Sequence, residues 1–186
     1  MNTRILLAAA VGATLCLYGC HSRTQETETW GQYEKPDTVN GIQQMKDYHY
    51  SAEVKDRDRT YTYDIVREAS DSLPVVNNGS GAQFSDNRIR LRINRNGTEM
   101  FNHEFTKNQF APMLDKEFLA HSILEGMAFD CVTPDGLRFS ISISYPESDI
   151  YIPFSVLVAP DGTYRVAREE ILDTAPEAQP DSTEAR

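Results

Sequence analysis

From Leu137 to Tyr145 the chain alternates: Leu137, Phe139, Ile141, Ile143 and Tyr145 are apolar, and Arg138, Ser140, Ser142 and Ser144 stand between them. A period of two marks a strand with one buried face and one wet face. The stretch from Ile123 to Thr133 precedes it across Pro134-Asp135-Gly136. Taken as a three-residue loop with Gly136 left-handed, that triplet pairs Thr133 with Leu137. Cys131 then faces Phe139, Phe129 faces Ile141, Met127 faces Ile143 and Glu125 faces Tyr145. Burying one large apolar side chain contributes roughly 1.5–3 kcal/mol, whereas a surface ion pair contributes about 0–1 kcal/mol. The apolar ladder therefore sets the expected register.

Three more hairpins follow from the same pattern. Tyr48, Tyr50, Ala52 and Val54 lead into Asp56-Arg57-Asp58-Arg59, and Tyr61, Tyr63 and Ile65 lead out, so a four-residue loop sets Val54 opposite Tyr61. Further on, Ile89, Leu91 and Ile93 share one face, and Arg88, Arg90 and Arg92 share the other. A two-residue Asn96-Gly97 turn would put Phe101 beside Arg92. A three-residue loop, Arg95-Asn96-Gly97, instead pairs Leu91 with Phe101 and Arg88 with Glu104, and is the expected one. Phe154, Val156 and Val158 return as Tyr164 and Val166 through a second Pro-Asp-Gly, Pro160-Asp161-Gly162, with Ala159 opposite Thr163 and Val156 opposite Val166. Phe110, Leu114 and Phe118 recur at spacing four, which predicts one short helix near Gln109 to Ala120 with Pro112 in its first turn. Glu68 to Phe84, rich in Gly and Asn, reads as irregular loop. The fold class expected is mainly β: an antiparallel meander of about eight strands, as a sandwich or a partly closed barrel, with one short helix.

The ends of the chain read differently. Asn2, Thr3 and Arg4 make a short positive start, Ile5 to Leu17 an apolar run, and Leu17-Tyr18-Gly19-Cys20 a small-residue site ending in cysteine. The run is short for a membrane span. It resembles bacterial lipoprotein signal peptides, whose lipobox ends at a cysteine that carries lipid and becomes the N-terminus. That resemblance makes 1–19 a signal peptide and Cys20 the lipid attachment site; polar composition without a period makes 20–46 a flexible tether, alternation makes 47–168 the β domain, and acidic residues with Pro176 and Pro180 make 169–186 a disordered tail. The resemblance implies a cell-envelope protein anchored to a membrane, expected at the outer membrane and facing the periplasm or the cell surface. Cys16 leaves with the signal, so Cys131 is the one thiol of the folded part and no disulfide framework forms within one mature chain. On the apolar side of its hairpin, Cys131 is expected to be an inert small hydrophobe.

With 186 residues, 40% of them hydrophobic, the chain suffices for one domain with a real core. Its formal net charge of −10 argues against nucleic acid as a partner. His49, His103 and His121 are scattered, and no spacing matches a metal site. No nucleophile elbow, phosphate loop or dinucleotide fingerprint is present, so no cofactor is expected.

The candidate binding residues are the stripe Arg88, Arg90 and Arg92, suited to a carboxylate or sugar acid, and the tyrosines Tyr48, Tyr50, Tyr61, Tyr63 and Tyr145, suited to stacking on a sugar or lining an apolar pocket. Strand parity places Glu125 on the inner face beside Tyr145, where a desolvated carboxyl has a raised pKa and can exchange protons. The functional reading is a lipid-anchored extracytoplasmic binding or interaction module without catalytic activity, its protein or small-molecule partner unidentified. A lipocalin-like carrier with a tyrosine-lined cavity is the second reading, and a hydrolase using Glu125 the third.

Phe84-Ser85-Asp86-Asn87 ahead of an alternating strand, and Ser144-Tyr145-Pro146 running on to Asp149, together with the lipobox and the polar tether, resemble a family of uncharacterised lipoproteins of Gram-negative anaerobes filed as a domain of unknown function. The resemblance spans most of 40–170 and implies a location and no reaction.

Overall fold

The computed structural model describes residues 37–170. In chain order the strands are β1 (Asp37–Val39), β2 (Ile42–Gln44), β3 (Tyr48–Asp56), β4 (Arg59–Ala69), β5 (Val76–Asn77), β6 (Gln83–Phe84), β7 (Asn87–Arg95), β8 (Thr98–Phe105), β9 (Ile123–Thr133), β10 (Gly136–Ser144), β11 (Tyr151–Val158) and β12 (Tyr164–Arg168). They form two four-stranded antiparallel meanders, β3-β4-β7-β8 and β9-β10-β11-β12, and a small sheet ordered β1-β2-β6-β5. In the small sheet β2 lies parallel to β6. The architecture is a sandwich and not a closed barrel. The eight long strands are the eight that alternation predicts. Signal, lipid-site and most tether positions, and the tail beyond Glu170, lie outside the described residues; positions 37–44 of the expected tether form β1 and β2.

The apolar stripes of the two meanders meet in one core. Ile65, Ile89, Leu91 and Ile93 from the first face Leu137, Phe139, Ile143, Phe154 and Val156 from the second, all of them buried. Phe110 and Phe118 close one end. They sit on two short pieces, a 3₁₀ turn over Lys107–Met113 and a helix, α1, over Lys116–His121, where one helix was expected. The break has a local cause. Pro112 lacks an N–H for an α-helical ladder, and Asp115 starts the second piece by accepting the Phe118 N–H at 2.7 Å.

Registers follow the expected faces by other routes. Val54 pairs with Tyr61 as predicted, although Arg57 and Asp58 alone make the turn. The second Pro-Asp-Gly also behaves as read: Val156 pairs with Val166, and Ala159 N–H donates to the Thr163 carbonyl at 2.8 Å. Asn96-Gly97 is a two-residue turn after all, with φ of 50° and 82°, and Arg95 pairs with Thr98. An extra residue, Met100, then bulges from β8, so Ile93 pairs with Phe101 and Leu91 with His103. Arg88 still reaches Glu104, diagonally, at 3.6 Å. In the central hairpin Gly136 pairs with Thr133 and Leu137 with Val132, one residue off the expected register. Two bulges on β9, at Asp130 and Glu125, bring Phe139 opposite Phe129 and Ile143 opposite Leu124. Cys131 consequently pairs with Arg138 rather than Phe139 and is half-buried.

One polar group is buried where β7 begins. Asp86, 2% exposed, accepts the Asn87 and Leu124 N–H groups at 2.9 Å each and lies 3.3 Å from the Lys107 ammonium, itself 8% exposed. Lys107 also donates to the Ser122 carbonyl at 2.5 Å. These bonds tie β7, the 3₁₀ turn and the start of β9 together. Truncating one partner of a buried, hydrogen-bonded ion pair costs about 3–5 kcal/mol, so Asp86 holds the frame from which β7 presents its arginines.

Candidate functional site

On β7 the odd residues Ile89, Leu91 and Ile93 are drawn into the core, so Arg88, Arg90 and Arg92 stand on the outer face of the sheet. The neighbouring strands put acids on that face. Arg92 pairs across with Asp64, donating to Oδ2 from NH2 at 2.9 Å and from Nε at 3.2 Å. Arg88 donates to the Ser70 hydroxyl at 2.6 Å besides its pairing with Glu104. Arg90 lies between Val66 and Glu104 in the ladders, is exposed, and forms no hydrogen bond or ion pair with any described residue.

Around it opens a groove of about 580 Å³, lined by Asp47, His49, Asp64, Glu68, Arg90 and Asn102 among others. Ser51 donates to Asp64 Oδ1 at 2.5 Å, and His49 Nε2 lies 3.2 Å from the same hydroxyl and 3.8 Å from Oδ1. The Ser51 hydrogen bond, and after it Arg92, hold the Asp64 carboxyl below the usual carboxylate range. Serine, histidine and aspartate here do not make a proton relay. The carboxylate accepts the hydroxyl's hydrogen bond directly, and both groups lie against one ring nitrogen, whereas a relay needs the acid on the far nitrogen of the ring. The Arg90 guanidinium, without a partner among the described residues, thus lies beside Asp64, which Ser51 and Arg92 hold, and beside Glu68 and Asn102; such a donor fork matches the geometry of an anionic oxygen.

Of the candidate tyrosines Tyr48 lines the groove, and the others do not. Tyr61 and Tyr63 are each 4% exposed, and the Tyr63 ring packs 5.2 Å from Phe129 and 5.5 Å from Phe139. Burial, with Tyr50 beside it, pushes the Tyr63 phenol up to about 12. Tyr48 and Tyr50 stack at 6.5 Å and Tyr50 meets Tyr63 at 6.1 Å, so this cluster is sheet cover filled by side chains. Tyr145 stacks on Phe118 at 4.7 Å and is not beside Glu125. Glu125 occupies a bulge instead, where its Oε2 accepts from the Ser142 hydroxyl at 3.1 Å. The expected inner-face carboxyl is thereby moved to the serine face of its sheet. Sequence reading found Arg90, Arg92 and Tyr48 of the groove's lining but missed Asp47, His49, Asp64, Glu68 and Asn102. The available signal was the even parity of Asp64, Val66 and Glu68, which the Val54–Tyr61 pairing already implied.

A second hollow of about 260 Å³ lies on the outer face of the other meander, lined by Thr133, Asp135, Arg138, Ser155 and Arg165 among others. Its cations are committed: Arg138 pairs with Asp130 at 2.9 Å and Glu169 at 3.4 Å, and Arg165 with Asp135 at 3.1 Å. Among the described residues no cluster of His, Cys, Asp and Glu suits a metal ion.

No curated protein matches the sequence. The model of the family described as a domain of unknown function, DUF4738, matches residues 29–166, which span the groove, both meanders and the small sheet. This chain belongs to that family.

Proposed function

We propose that this protein is a non-catalytic binding module, lipid-anchored at Cys20 in the cell envelope, whose outer-face groove takes a small polar ligand bearing a carboxylate, of the sugar-acid class. The observation that carries the reading is Arg90, the exposed arginine left uncommitted between two committed ones within a groove of about 580 Å³. A carboxylate bound by that fork replaces water with charge-assisted hydrogen bonds, while Glu68 and Asn102 stand beside it to take hydroxyls.

The test is calorimetric titration with glucuronate and, as its neutral counterpart, glucose. Glucuronate binds and Arg90→Ala weakens it at least about tenfold, because a hydrogen bond to a charged group contributes about 1.5–3 kcal/mol. Equal binding of glucose, or indifference to Arg90→Ala, defeats the reading. Metabolic labelling with an alkyne fatty acid tests the anchor: the label is incorporated by the native chain and lost in Cys20→Ala.

A further inference from the structure

Among the described residues the two four-stranded meanders have four edges without a further strand, and three of these are blunted. β12 is only five residues long. β9 carries bulges at Glu125 and Asp130. β8 bulges at Met100, whose carbonyl is so close to Gly162 that an added Cβ there would lie 2.7 Å away, and Tyr164 of β12 reaches His103 at 3.1 Å. Such devices prevent further strand pairing. The fourth edge, β3, is nine residues long, with no proline, no bulge, and exposed residues along its length.

The turn of this hairpin decides which backbone groups are offered. Asp56 and Arg59 flank a two-residue turn and exchange both hydrogen bonds, so alternation leaves the N–H and C=O of His49, Ser51, Glu53 and Lys55 directed to the open edge. The side chains of these residues lie on the wet face with Asp64, while Tyr48, Tyr50, Ala52 and Val54 lie on the other.

We infer that β3 pairs antiparallel with β3 of a second copy of this chain, about a twofold axis through Ser51, to make one continuous eight-stranded sheet. Charge selects the partner and the register. With Ser51 opposite Ser51, each Asp47 meets a Lys55 and each His49 meets a Glu53, twice over by symmetry. Tyr50, 38% exposed in the single chain, meets Ala52, and Tyr48 meets Val54. The other registers that keep the faces sorted are worse. Centring on Ala52 sets His49 against Lys55, centring on Glu53 sets that carboxylate against itself, and centring on Tyr50 sets Asp47 against Glu53. Centring on Val54 sets Glu53 against Lys55 but overlaps only five residues of the strand, so the register through Ser51 is the one complementary over the greater length.

Oxidative cross-linking of the full chain tests this. Ser51→Cys places two thiols on the axis, where Cα atoms of a hydrogen-bonded pair lie about 5.5 Å apart, within disulfide reach. Lys55→Cys serves as the control, since that position lies roughly 27 Å from its own copy, eight residues along the strand. The Ser51→Cys chain dimerises at least about tenfold faster than the control. Adding Lys55→Asp slows it about tenfold by opposing two carboxylates, and adding Asp47→Lys as well restores the rate. Equal rates for the two cysteine variants, or a rate indifferent to the charge changes, overturn the inference. So does a chain that sediments as a monomer with the Ser51 and Glu53 amides protected from exchange, which would mean that a segment of the same chain occupies the edge.

Discussion

The triplet Pro-Asp-Gly closes two hairpins in two ways. After β9 only Pro134 and Asp135 form the loop, and Gly136, with φ of 146°, already pairs with Thr133. After β11 all of Pro160, Asp161 and Gly162 lie in the loop; Gly162 is left-handed at 84°, and its N–H donates to the Ala159 carbonyl at 3.0 Å. The neighbours account for the difference. Gly136 is pressed against β11, so that a Cβ there would lie 2.1 Å from the Val158 carbonyl oxygen. Asp161 instead folds back on its own turn, its Oδ1 accepting the Thr163 N–H at 2.9 Å and hydroxyl at 2.7 Å. Asp135 is spent on Arg165, across the surface. A turn sequence states that the chain reverses, and the packing around it settles how many residues the reversal takes.

That contrast is broken most severely at Gly136. Replacing it with Ala drives a methyl group into a backbone oxygen that β10 and β11 both hold, and urea unfolding will show a loss of about 3 kcal/mol. At Gly162 the same change meets a left-handed backbone and the Met100 carbonyl at the bulge, at the looser edge of the sandwich; about 2 kcal/mol is expected by the same measurement. If Gly162→Ala proves the more damaging, the account of the first turn is wrong.

A pH titration sharpens the comparison further. The bonds from Thr163 hold the Asp161 carboxyl below the usual carboxylate range. A carboxyl lowered by folding contributes stability above its unfolded pKa, and that contribution is lost as pH falls through the folded value. Asp161→Asn should therefore flatten the acid limb of the stability curve, with the Asp161 carboxyl carbon followed by NMR as the direct check. The smallest effect belongs to Asp135→Ala, which removes an exposed ion pair and changes stability by less than about 1 kcal/mol.

The same logic explains what could be read in advance. Strand after strand was legible because Ile89, Leu91 and Ile93, or Leu137, Phe139, Ile141 and Ile143, repeat at the period of the pleat and all become buried. Register was less legible, because Met100, Glu125 and Asp130 leave the ladder at bulges. A bulge shifts the count by one residue and costs the apolar faces nothing, so periodicity cannot reveal it. At Glu125 that single residue separated a supposed inner carboxyl from Tyr145. The small sheet was illegible for a different reason: strands of two or three residues carry no period, and β2 finds β6 across forty residues of chain. Part of the groove was visible as Arg90 and Arg92 of the arginine stripe. Its acids come from another hairpin, and only the pairing of β4 with β7 sets Asp64 against Arg92.

Alternation along the chain alone determined which side chains are inside, because burying them outweighs every local polar preference. Tertiary structure alone decided where residues are skipped, which is why Cys131 lies opposite an arginine, Glu125 beside a serine, and Arg90 within a groove without a partner among the described residues. Burial is a sum over one strand at a time, whereas a bulge or a shared turn is settled by a backbone carbonyl of some distant strand.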